Sequence, residues 1–166
     1  MVLLLQYTLI FSSVLILVAL GGCFAEHSGV INLGLEGIMV LGALGGALVM
    51  RYFGDSVSGA ALVLLVLLGS VLFGVVYSTL LGVASINFKA DQTLVGTALN
   101  LLRTAGATVI VKAINTAANP DDVSSIIQYA GAKKAFTVNI GSFEFSWFML
   151  ITALLLVASY VLLYKT

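Results

Sequence analysis

The sequence is poor in everything that wets or cross-links a soluble domain. Charged residues fill only 8% of its 166 positions, where a soluble domain uses about 25%, so the chain cannot cover a surface with its own polar groups and its solvent is largely lipid. Its seven basic and seven acidic residues cancel, and they are too scattered to form a cationic stripe along a phosphate backbone, which argues against a nucleic-acid partner. Cys23 is the one cysteine, so no disulfide closes within the chain and no paired-thiol metal site exists; it reads as a small apolar residue at a helix end. His27 is the one histidine, which leaves no cluster for a metal and no second base for a proton relay. The Gly69-Ser70 and Gly141-Ser142 dipeptides do not sit in a nucleophile motif. There is no phosphate-cradling loop of the GxxxxGK(S/T) kind, so any nucleotide hydrolysis would have to be done by another subunit. No catalysis and no cofactor are expected of this chain.

What is present is apolar residue, 61% of the chain. A membrane span needs about 20 mostly apolar residues, and that ruler predicts an all-α, polytopic helix bundle with about five transmembrane helices, forming a single domain over residues 1–166. The first span runs from Val2 to Phe24. It has no Lys or Arg before it and exceeds the roughly 7–15-residue core of a cleavable signal, so it reads as a retained helix. The second runs from Val30 to Met50 and is rich in glycine, and the third, Gly59 to Ala84, carries no charge. A polar connector, Ser85 to Asp91, leads to the fourth, Gln92 to Val111. After a long loop from Lys112 to Phe143, the fifth runs from Glu144 to Leu163.

The long loop carries a helix-start signal, Asn119-Pro120-Asp121-Asp122: a capping side chain, a proline for the first helical position and acids for the first turn. With Val123, Ile126, Ile127 and Ala130 on one face and Gly131 as a stop, it predicts a short amphipathic helix on the membrane surface. Phe136 to Ile140 alternates as a strand does.

Lipid provides no hydrophobic force between helices, so close packing depends on small residues. Gly42 and Gly46 form such a pair in the second span, and Ser70, Gly74, Ser78 and Gly82 form a stripe in the third. The fourth span has a polar face instead, with Gly96, Asn100, Thr104 and Thr108 at four-residue spacing and Thr93, Thr97 and Arg103 close by. An arginine near mid-span costs at least about 2.5 kcal/mol if it faces lipid. Arg103 therefore needs water, carbonyls or a carboxylate, and Glu36 is the candidate partner. Asn32 and Glu36 share a face among Gly29, Gly34 and Gly37, the pattern of a broken helix beside a cavity. Asn32, Glu36, Asn100, Arg103 and Thr104 are thus candidates to line a path for a polar solute; the competing reading makes Glu36 and Arg103 a structural buried pair.

Two stretches, Glu26 to Gly37 (EHSGVINLGLEG) and Ile86 to Leu102 (INFKADQTLVGTALNLL), resemble segments of ABC importer permeases of the branched-chain amino acid, ribose and nucleoside type, and are most similar to those of simple-sugar and nucleoside uptake. Asp91 stands where that family commonly has asparagine, and Phe88-Lys89 where it has leucine-arginine. The resemblance covers the first half of a family member, so a segment that docks the ATPase is expected after Thr166. It implies a multi-pass protein of the bacterial cytoplasmic (inner) membrane working with a second permease subunit, a cytoplasmic ATP-binding cassette ATPase and an extracytoplasmic substrate-binding lipoprotein. It also implies an outer N-terminus and an outer long loop, placing Arg51, Lys112, Lys133 and Lys134 outside against Lys89 and Lys165 inside, the reverse of the positive-inside pattern. Two other readings remain open: a structural or assembly subunit with no conducting path, and a component of a channel or secondary transporter.

Overall fold

The computed structural model describes residues 2–29, 31–128, 136–140 and 143–165. Five helices, α1 (Val2–His27), α2 (Leu35–Phe53), α3 (Ala60–Gly82), α4 (Gln92–Ala118) and α5 (Trp147–Lys165), are each long and apolar enough to cross a membrane. Two short strands, β1 (Thr137–Ile140) and β2 (Phe143–Ser146), pair antiparallel with Thr137 opposite Ser146. The expected strand after Phe136 is therefore present as one arm of a hairpin. The residues cluster into two compact units, Met1–Gly29 with Lys133–Thr166, and Val30–Ala132.

In the first unit α1 packs along α5. Its buried hydroxyls, Ser13, Thr152 and Ser159, bond back to the carbonyls of Leu9, Phe148 and Leu156 at 2.8–2.9 Å, so none remains unsatisfied in an apolar setting. The fifth span starts at Trp147 rather than Glu144, because Glu144 is paired with Asn139 in the hairpin and the Ser146 hydroxyl accepts from the Phe148 N–H at 3.3 Å, capping the helix one turn later.

In the second unit α2 lies against α3 and α4, and Leu41, Leu44, Tyr77, Leu81, Leu99 and Val111 form its core. The α2–α3 crossing is closer than the expected stripe implies. A Cβ at Gly45 would stand 2.6 Å from the Gly69 carbonyl oxygen and 2.7 Å from Phe73, and one at Gly69 would stand 2.6 Å from Val49. Gly42 faces the Ser70 carbonyl oxygen at 3.2 Å and Gly46 faces the Ser70 hydroxyl. Gly74 meets only Ile38, at an ordinary 3.6 Å, and the position of a Cβ on Gly82 is open space. Ser78 turns its hydroxyl back to the Val75 carbonyl at 2.9 Å. The small-residue stripe thus ends near Gly74, Tyr77 and Leu81 continue the packed side, and Leu64, Leu68, Leu72, Val76 and Leu80 are exposed apolar residues on the rest of the helix.

α3 closes in a π-helical turn, Val83–Asn87, and α4 opens on Asp91, whose Oδ1 accepts from the N–H groups of Thr93 and Leu94 at 2.8 and 3.1 Å. That is a full N-cap made by the aspartate side chain. α4 runs to Ala118, seven residues past the expected end at Val111 and through Lys112.

The short amphipathic helix expected after Pro120 is not formed. Residues 119–128 make a turn and then irregular chain. Asn119 Oδ1 does accept from Asp121 N–H at 3.2 Å, but the next bonds are Asp122 N–H to the Asn119 carbonyl and Ser124 N–H to Asp122 Oδ1. The carbonyls of Ser124 and Ile126, which a helix would use internally, accept instead from Asn115 Nδ2, each at 3.0 Å. Side-chain bonds have outcompeted the helical ladder. Ala130 and Gly131, the expected end of that helix, lie outside the described residues.

Candidate functional site

The second span does not begin at Val30. Residues 31–34 are non-helical and α2 starts at Leu35, so a stretch of backbone beside α4 must find partners other than its own helix. It finds them on side chains. Ile31 N–H donates to Gln92 Oε1 at 3.1 Å, and Gly34 N–H to Asn32 Oδ1 at 3.0 Å. Asn100 engages both sides of the break: its Nδ2 donates to the Leu33 carbonyl at 2.6 Å and its Oδ1 accepts from the Gly37 N–H at 2.8 Å. The second of these satisfies one of the donors that every helix start leaves open. Non-helical backbone at bilayer depth is tolerated only when buried in protein or beside a hydrated cavity.

Close approach makes this possible. A Cβ at Gly96 would sit 3.0 Å from both the Leu33 side chain and the Gly34 nitrogen, and one at Gly37 would sit 2.9 Å from the Tyr77 ring. The buried Tyr77 hydroxyl donates to the Leu99 carbonyl at 2.6 Å and so ties α3 to α4 at the level of the break.

Glu36 and Arg103 meet here. Glu36 Oε2 lies 2.8 Å from Arg103 Nη2, with the glutamate side chain 62% exposed and the arginine 25% exposed. Glu36 is in the first turn of α2 and Arg51 in its last, so both charges also suit the helix dipole. The pair is partly open, not sealed.

Of the residues expected to border a path, Asn32, Glu36, Asn100 and Arg103 therefore come together around the head of α2. Thr104 follows Arg103 on α4 and is exposed. Asn32 accepts from one backbone N–H through Oδ1, and Asn100 bonds backbone through both its oxygen and its nitrogen.

At the far ends of α2 and α4 lies a second polar centre that spacing placed in a loop. Asn115 is 3% exposed; Arg51 Nη1 donates to its Oδ1, and its Nδ2 reaches the Ser124 carbonyl and hydroxyl and the Ile126 carbonyl. One amide thus joins two helix ends to the loop. Hydrogen bonds from the Ser124 hydroxyl and N–H, with a smaller contribution from the Arg51 charge, hold the Asp122 carboxyl below the usual range. Asn115 lies four residues beyond the buried Val111 on the same helix face, and that spacing was the available signal for it. Gln92 and Tyr77 gave none.

The family described as "branched-chain amino acid transport system / permease component" matches residues 4–166. The guanosine ABC transporter permease protein NupQ of Bacillus subtilis is 43% identical over 116 residues, 70% of this chain and 36% of that protein. The nucleoside ABC transporter permease protein NupC of Lactococcus lactis is 39% identical over 97 residues, 58% of this chain and 30% of that protein. A putative glucose ABC transporter permease protein of Haloferax volcanii is 34% identical over 101 residues, 61% and 29% of the two chains. No solved structure matches. The chain spans about a third of the length of these relatives.

Proposed function

Because this chain belongs to the permease component family of branched-chain amino acid transport systems, we propose that it is a permease subunit of an ABC-type importer in the cytoplasmic membrane and borders the path of a nucleoside. Two relatives, permeases of a guanosine and a nucleoside ABC transporter, support that solute class over sugars. The observation that carries the reading is the partly open Glu36–Arg103 pair beside the break before α2, since ionisable groups at membrane depth mark solute pathways far more often than lipid-facing surface.

In this reading the chain has no chemistry of its own. A second permease subunit completes the enclosure, an extracytoplasmic lipoprotein delivers the solute, and a cytoplasmic ATPase drives the change of access. The permease contributes two conformations whose balance those partners shift through unequal affinities. Glu36, Arg103 and Thr104 supply polar lining, while Asn32 and Asn100 hold the backbone that presents it.

The test is an in-frame deletion, in the host genome, of the segment encoding residues 1–166. Loss of radiolabelled guanosine uptake, restored by the intact gene, is expected. Unchanged uptake of guanosine, inosine and uridine refutes the assignment. The competing structural reading is separated by Glu36→Arg with Arg103→Glu: full restoration of transport by that double exchange makes the pair a packing element.

A further inference from the structure

The Glu36–Arg103 contact brings Oε2 to 2.8 Å from Nη2, and a carboxylate and a guanidinium each carry further bonding positions beyond that one. Among the described residues neither side chain has a hydrogen-bonding partner beyond this pair, and Arg103 Nε is buried with no hydrogen-bond partner. The pair therefore offers an exposed acceptor, the Glu36 carboxylate, beside a guanidinium with an unsatisfied donor, at a point where the backbone is fixed by Asn100 and Tyr77.

We propose that this pair is the selectivity element of the path and reads the lactam edge of a nucleobase, an N–H beside a carbonyl, as in hypoxanthine, guanine and uracil. The inference rests on the reading of the chain as a nucleoside permease. A carboxylate only accepts and a guanidinium only donates, so together they complement a neutral edge that donates and accepts at adjacent atoms. A neutral solute can insert without leaving either charge uncompensated, whereas a net anion or cation strands one of them in a low-dielectric setting. Adenine and cytosine also offer a donor beside an acceptor, but their acceptor is a ring nitrogen with one lone pair. A carbonyl oxygen has two and can take two of the free guanidinium N–H groups, which ranks the lactam above the amidine.

The experiment measures the uptake rate of inosine relative to 1-methylinosine, which lacks the N1–H donor, in host cells carrying the complete transporter. The lipoprotein contributes the same factor to that ratio in every permease variant, so the change between variants belongs to the permease. Wild type is expected to favour inosine, and Glu36→Gln, which keeps an acceptor but removes its charge, is expected to lower the ratio by about tenfold, the difference between a charge-assisted and a neutral hydrogen bond. A ratio that stays constant while both rates change overturns the proposal, as does a wild type that takes up both nucleosides equally. If Glu36→Gln does not reach the membrane, Glu36→Asp keeps the charge with a shorter reach and is expected to lower the ratio too; an unchanged ratio there, or failure of that variant to accumulate, marks the pair as a folding element and overturns the proposal. Absence of any nucleoside uptake by wild type removes the underlying reading itself, a result distinct from all of these.

Discussion

Asn100→Leu removes the clamp on the break before α2 while keeping the side chain's approximate volume. Two backbone groups lose their partners, the Leu33 carbonyl and the Gly37 N–H, now bonded at 2.6 and 2.8 Å. Each unsatisfied buried group costs about 1–3 kcal/mol. Asn100 is only half-buried and water can relieve part of this, so the sum belongs at the lower end, about 2–4 kcal/mol. Against a typical stability of about 5–15 kcal/mol that is a large fraction. Thermal unfolding of the complete permease in detergent should show a clearly lowered midpoint, with transport falling in step with folded protein. Asn100→Asp keeps the acceptor for Gly37 and should lose less, apart from the added charge. An Asn100→Leu protein with unchanged melting and unchanged nucleoside uptake would refute both the clamp and any role for this residue at the path.

Packing predicts a contrast within the glycines. Gly45→Val forces a side chain into the Gly69 carbonyl and Phe73 and should destabilise by at least about 1–3 kcal/mol, whereas Gly82→Ala, facing open space, should be neutral or slightly stabilising in the same melting assay. Asn115→Ala leaves the Arg51 donor and the Ser124 and Ile126 carbonyls without their shared partner; amide exchange over residues 119–128 should accelerate at least tenfold, with α1 and α5 unaffected. Because the Asp122 carboxyl is held low chiefly by Ser124, its contribution to loop order is complete at neutral pH and disappears only as pH falls through that lowered pKa, below about 4. Exchange at the Ser124 amide should rise over that acid range, and Asp122→Asn should abolish the dependence.

The five spans were legible because hydropathy and length alone determine what can cross a bilayer, and the Glu36–Arg103 pair because an ion at that depth requires a partner. Helix ends were less legible. The start of α2 at Leu35 depends on Asn100, sixty-five residues further along the chain, and the continuation of α4 to Ala118 goes with the bonds Asn115 makes to a loop. Such long-range side-chain bonds leave no periodicity. The same bonds explain why the capping signal at Asn119-Pro120 starts a turn and not a helix. Small-residue spacing found one edge of the α2–α3 contact through Gly42, Gly46 and Ser70, yet missed that Gly45 and Gly69 make the tightest approach, because four-residue spacing cannot say which of two neighbouring glycine faces is turned toward the partner.

If polar groups at the head of α2 and along α4 border a hydrated nucleoside path, Thr104 is within reach of water. Thr104→Cys in the complete transporter, with the exposed native thiol removed as Cys23→Ser, is to be labelled with a membrane-impermeant thiol reagent in intact cells and inverted vesicles. Labelling from at least one side, slowed by saturating guanosine, is expected. No labelling from either side, in a transporter that still imports nucleoside, would contradict that path.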